Sequence, residues 1–301
     1  MMRRGVAALA LLIAAAPALA ARPKITRGED CPYKVTTPHF VVEFSVAPRV
    51  GMLYASLCEK AYKRFSDIFQ VPQTETVWEG ACHVYLFEKH EQFARFAADH
   101  HGIGAAMSGG YAVPRKRDPL IVLFRRGRTD VKLQQTLIHE MTHVFLQLFR
   151  REVPLNTWLH EGFAQYFEFM HHPSDSRLAM SRRIAKRIVR NRTARPLKDF
   201  WVMSFPPTDH EGYAQAWSLI DFMTATKELR RKTGKFILAI KERSPKTGGF
   251  IHIQSAEDLE RARASAAKQD LEFQAGIFEE IFGIPVKTFE ARWKRYVLSR
   301  Y

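Results

Sequence analysis

Residues 136–149 read TLIHEMTHVFLQLF and contain the run His139-Glu140-Met141-Thr142-His143. Histidines four apart on a helix project from one side, about 40° from each other at ~100° per residue. Two such imidazoles can chelate one zinc ion through nitrogens at ~2.0–2.1 Å. Glu140 falls about 60° beyond His143, too far round the helix to join the same ion easily. It can reach a water at that ion, which is where a general base belongs. Leu137, Ile138, Met141, Val144, Phe145, Leu148 and Phe149 supply a broad apolar face for the helix.

A catalytic zinc needs a third protein ligand and an open position. VPLNTWLHEGFAQYFEF, residues 153–169, follows after a turn at Pro154, with Asn156 placed to cap a second helix. A tight turn returns that helix antiparallel, so Glu161 in its early turns faces His139 and His143. His160 is rotated by ~100° from Glu161. The pairs His90-Glu91 and His210-Glu211 lack a second histidine four residues on, and His100, His101, His171 and His172 read as surface residues.

HEMTH followed by WLHEGFAQYFE resembles the gluzincin branch of zinc peptidases, the peptidase MA-like proteins, of which aminopeptidase N-type enzymes and thermolysin are members. The resemblance implies zinc held by His139, His143 and Glu161, with Glu140 as general base. Seventeen residues separate His143 from Glu161, slightly fewer than is usual in the aminopeptidases. YAQAWSLIDFM (213–223) is similar to the helix start that carries a catalytic tyrosine there, which implies that role for Tyr213. The edge strand of the family's sheet binds substrate backbone, so Gly109, Gly110 and Tyr111 inherit a substrate-binding role. FEEIFGIPVKTFEARWKRYV (278–297) looks like the usual ending of such domains, so the resemblance covers most of residues 37–299. Two departures stand out. The aminopeptidases' amine-binding glutamate motif has no clear match near 102–114, which argues against aminopeptidase activity. Gln165 stands where an acid often orients a ligand histidine, and its amide oxygen is the candidate for that task.

These residues need a scaffold. HFVVEFSV (39–46) and CHVYLFE (82–88) alternate like strands, and LIVLF (120–124) reads as a central one. Helical spacing marks 50–69 and 88–101 before the histidine helix, and 130–149, 157–171, 176–192, 212–228, 234–243, 256–281 and 286–299 from it onward. The expected class is α+β: a small mixed sheet followed by a mainly helical half. The expected division is a signal peptide at 1–20, an irregular lead-in at 21–36, and one catalytic domain at 37–301. Within it, 37–128 holds the sheet and 129–301 the helices.

The 301 residues are 46% hydrophobic and 26% charged, which excludes a disordered or fibrous chain. MMRRGVAALALLIAAAPALA has a basic start, an apolar run from Val6 to Ala16 and an Ala18-Leu19-Ala20 ending, the pattern of a signal peptide cleaved after Ala20. The run is shorter than the ~20 residues a membrane span requires, and no later stretch is apolar enough to span. A secreted or periplasmic location follows. In that compartment Cys31, Cys58 and Cys82 could give one disulfide and one thiol, or three buried thiols. The net charge of +15 favours anionic partners, among them envelope components, and export removes nucleic acid from consideration. Residues 174–192 carry five arginines and one lysine between Arg182 and Arg192 beside an apolar stripe, the pattern of an amphipathic cover helix. The reading is a secreted zinc peptidase acting on a peptide or protein substrate. The alternative is a zinc-retaining, non-catalytic binding module of the envelope.

Overall fold

A computed structural model describes residues 24–25, 31–101, 109–126, 130–153, 155–244 and 256–301. The expected signal peptide, Pro154, the glycine-rich stretch 102–108 and the Gly248-Gly249 loop lie outside the described residues. The class is α+β. One mixed sheet has the order β1-β2-β3-β4-β6-β5, from strands β1 (Lys24–Ile25), β2 (Tyr33–Thr36), β3 (Phe40–Phe44), β4 (Cys82–Phe87), β5 (Gly110–Val113) and β6 (Leu120–Phe124). β3, β4 and β6 run parallel, while β2 and β5 pair antiparallel on either side. Parallel neighbours require crossovers, and the helices α1 (Pro48–Phe69) and α2 (His90–His101) supply helical segments within them.

The sheet is covered on both faces, which is why β6 is buried at every position and reads as a continuous apolar run. Phe40, Val42, Phe44, Val84, Leu86, Ile121 and Leu123 face the main core with α1 and α3 (Val131–Leu148). Phe87, Leu120, Val122 and Phe124 face the other way, toward Phe93 and Ala97 of α2. Burial of each such side chain stabilises by about 1.5–3 kcal/mol relative to exposure.

The remaining helices are α4 (Thr157–His171), α5 (Ser176–Arg190), α6 (Leu197–Val202), α7 (His210–Thr224), α8 (Lys227–Arg243), α9 (Ala256–Phe282) and α10 (Val286–Arg300). α3 and α4 form a hairpin, α7 packs on α4, and α5 packs on α7. The hairpin turn is held from outside it. Lys241 of α8 is fully buried, and its ammonium donates to the carbonyls of Gln147 (3.0 Å), Arg151 (3.1 Å) and Val153. These include acceptors that the end of α3 leaves without intrahelical partners.

Several expectations are corrected. The lead-in 21–36 is not wholly irregular, because β1 and β2 extend the sheet. The edge strand expected at Gly109–Tyr111 is β5, whereas α6 is an additional helix, and α8 begins at Lys227 rather than near 234. Of the two cysteine states expected, the structure has the second: Cys31, Cys58 and Cys82 are three buried thiols with no bridge among them. No helix among the described residues is long and apolar enough to cross a membrane.

Candidate metal centre and its cleft

α3 is amphipathic in an unusual sense: its apolar face enters the main core, while the other side looks into a cleft of about 780 Å³. Gln135, Thr136, His139 and Glu140 line that cleft from α3, Glu161, Gln165 and Glu168 from α4, and His210 and Tyr213 from α7. His139 and His143 lie with ring centroids 4.6 Å apart and planes at 82°. Glu161 completes a triangle, with Oε2 3.7 Å from His139 Nε2 and Oε1 3.8 Å from His143 Nε2. All three ligand atoms lie within 4.8 Å of one another.

These spacings can be tested against a tetrahedral ion. Donors at ~2.1 Å from a common centre stand about 3.4 Å apart, a few tenths less than the two distances to Glu161. Glu161 Oε2 is buried and has no hydrogen-bond partner among the described residues. Burial raises the Glu161 carboxyl above its usual range, against His139 and Tyr213, which lower it. Burial likewise raises Glu140, with His139 opposing. Burial and the neighbouring His139 push His143 down to about 2, so it is a neutral imidazole with a free lone pair. The neutral imidazole of His143, the imidazole of His139 once it gives up its proton, and a carboxylate short of partners are donors that zinc takes, and the residues present fit it.

The parts around the triangle orient it. His139 Nδ1–H donates to Glu168 Oε1 at 2.6 Å, which points Nε2 at the centre. Burial disfavours the imidazolium, but Glu168 outweighs it and lifts His139 to about 9. Glu168 Oε2 accepts from Arg177 Nη2 at 2.7 Å, Arg177 also pairs with Asp175 at 2.8 Å, and Asp175 accepts from Gln135 of α3 at 2.6 Å. The acid that holds His139 is therefore Glu168, not Gln165, whose buried Oε1 has no partner among the described residues. Residues seven apart on a helix differ by only ~20° in direction, so Glu161 and Glu168 share a face. That spacing was the available signal. His143 Nδ1 lies 3.4 Å from His160 Nδ1, so one ring donates to the other. Burial lowers His160 to about 4. His160 stands outside the triangle but abuts His143.

Tyr213 enters the cleft near the start of α7, and its hydroxyl faces the Glu161 carboxylate. Burial, then Glu161, push its phenol well above the usual range, so it stays a donor. Two local features place it. Asp209 caps α7 by accepting from the Gly212 amide at 2.8 Å, and Arg195 donates to Asp209 at 2.6 Å. Gly162, next to Glu161, lets the two helices close up: a Cβ there would fall 2.8 Å from the Ala216 carbonyl oxygen. Tyr166, five residues after Glu161 on α4, does not line the cleft and packs against Phe167.

Gly109 and Gly110 line the cleft where the edge strand β5 begins. A Cβ on Gly110 would lie 2.3 Å from Leu123 Cδ2 and 3.2 Å from Thr136 of α3, so only glycine admits this approach. Tyr111 does not share the cleft. Its ring packs against Phe93 at 5.8 Å on the opposite face of the sheet. The structure thus brings Glu140, His139, Glu161, Gln165, Gly109, Gly110 and Tyr213 to one cleft, beside His143, and sends the Tyr111 ring elsewhere. No family model matches the chain, and no curated protein is significantly similar to it.

Proposed function

We propose that this protein is an exported zinc-dependent peptidase of gluzincin type. The observation that carries the reading is the His139–His143–Glu161 triangle with Glu140 beside it, in a cleft that Gly109 and Gly110 also line. When bound, zinc supplies Lewis acidity that polarises a carbonyl and lowers the pKa of water. His139, His143 and Glu161 hold the ion, with Glu168 and His160 fixing the two imidazoles. The Glu140 carboxylate, raised by burial, takes a proton from the attacking water and passes it to the leaving amine. The Tyr213 hydroxyl donates to the oxyanion that forms on the scissile carbonyl. β5 is the outermost strand of the described sheet, and Gly109 and Gly110 at its start border the substrate backbone in the cleft.

The test is a comparison of wild type with Glu140→Gln. The variant should keep one zinc per chain and the wild-type unfolding profile. It should lose hydrolysis by about 10²–10⁴, the usual worth of a general base. Equal turnover in the two proteins would remove Glu140 from the chemistry. A wild type that binds zinc yet cleaves nothing across a broad peptide library would favour the non-catalytic binding module.

A further inference from the structure

We propose that the cleft selects acidic peptides, and that Arg126 and Lys132 read a carboxylate about three residues from its catalytic centre. Only the identity of that centre rests on the peptidase reading; the charge preference follows from the cleft wall itself.

Both side chains line the cleft at the end where β5 begins. Lys132 stands eight residues before Glu140 on α3, which is ~12 Å along the axis at ~1.5 Å per residue. An extended peptide advances ~3.3 Å per residue, so three to four residues cover that distance. Arg126 reaches the same end from β6. Its guanidinium lies 5.2 Å over the Phe124 ring, and a Cβ on Gly109 would come within 2.8 Å of it. Gly109 is thus the residue that lets this cation sit at the lip of the edge strand.

The two cations also lack carboxylate partners, which distinguishes them from their neighbours. Arg125 is taken by Glu88 at 3.2 Å and Asp130 at 3.3 Å. Arg177, on the opposite wall, is taken by Glu168 and Asp175. Among the described residues no acid pairs with Arg126 or Lys132. The adjoining segments 102–108 and 127–129 contain no acidic residue either. The carboxylates of the cleft, Glu140, Glu161 and Glu168, gather at its catalytic end. An acidic substrate side chain therefore finds unpaired cations only at the far end, about three residues from the centre. The opposite wall, with Phe169, Met180 and Ile184, suits apolar side chains.

Fluorescein-labelled decapeptides with one apolar centre, and Glu, Gln or Lys three residues to either side, test this by anisotropy. Zinc-loaded Glu140→Gln protein makes the readout independent of turnover. A Glu peptide should bind about three- to tenfold more tightly than its Gln counterpart at low salt, the sum of two exposed ion pairs. The difference should shrink at high salt. Arg126→Ala/Lys132→Ala should bring the Glu peptide to the affinity of the Gln peptide, and Arg126→Glu/Lys132→Glu should prefer the Lys peptide. Equal binding of Glu and Gln peptides, or a preference that survives in the double-alanine protein, would overturn the proposal. So would tighter, Arg126- and Lys132-dependent binding of an anionic polysaccharide than of any peptide. A preserved Glu preference beside a wild type that cleaves none of the peptides would overturn the peptidase reading and leave the acidic selectivity standing.

Discussion

Glu168 Oε1 accepts from His139 Nδ1 at 2.6 Å, and the same carboxylate accepts from Arg177 through its other oxygen at 2.7 Å. A carboxylate in this position fixes the imidazole tautomer and its direction, and raises the basicity of the ligating nitrogen. Glu168→Gln keeps an acceptor but loses the charge. It is expected to weaken zinc affinity by about 10–100-fold, measured by competition with a chelator. Gln165→Ala is expected to change affinity far less. An unchanged affinity in Glu168→Gln would show that His139 is oriented by other means.

On the proposed mechanism the Tyr213 bond to the oxyanion forms only in the transition state, so Tyr213→Phe is expected to lower kcat with little change in KM. Gly162→Ala should reproduce part of that defect from a distance. The added methyl meets the Ala216 carbonyl at 2.8 Å, so α7 must shift from α4 and carry Tyr213 with it. Zinc content should stay near one per chain in both variants. A Gly162→Ala protein with wild-type kcat would show that the helix spacing does not govern Tyr213.

Asp209 links this region to pH. Burial raises its carboxyl, but the bonds from Arg195 and the Gly212 amide outweigh that and hold it below its usual value. The folded value lies under the unfolded one of about 3.9. The stabilisation is therefore complete above the unfolded value and disappears as pH falls through the folded one. Asp209→Ala is expected to cost about 1–2 kcal/mol at pH 7, the range for losing a helix cap. The gap between variant and wild type should narrow below pH 4 in denaturant titrations. A gap of constant size down to pH 2 would refute the linkage.

Lys241→Met keeps much of the side-chain volume but removes the donor to three carbonyls at the hairpin turn. Unsatisfied buried acceptors cost about 1–3 kcal/mol each, partly offset because the ammonium no longer has to leave water. A net loss of about 1–3 kcal/mol is expected, read from the urea midpoint. A midpoint at or above the wild-type value would mean that the ammonium is tolerated rather than needed.

The parts of this fold that declare themselves in the sequence are those with long periodic patterns. α1, α3, α4 and α5 each span 15 residues or more and show their apolar stripes plainly. The ligand triangle was legible for the same reason, since helix geometry alone aligns His139 with His143. β2 and β5 have four residues each and take their identity from pairing with β3 and β6, which no local pattern records. Tyr111 was misdirected because alternate residues of a strand face opposite ways, and the register of β5 could not be read without its partner. Arg126 and Lys132 were invisible as a pair, because their nearness to the cleft mouth depends on how the end of β6 meets α3.

The proposed ligands and the residues that orient them, His139, His143, His160, Glu161 and Glu168, fall within one α-hairpin. Closing so short a loop costs little chain entropy, so this half of the site forms from contacts that arise early in a folding reaction. Tyr213 joins only when α7 has docked, across a much longer stretch of chain. On the proposed function, metal capture is expected to precede chemical competence. During refolding from denaturant with zinc present, chelator-resistant metal is expected to return before hydrolysis does. An ion acquired first would act as a nucleus that staples the hairpin, against which the later helices then assemble.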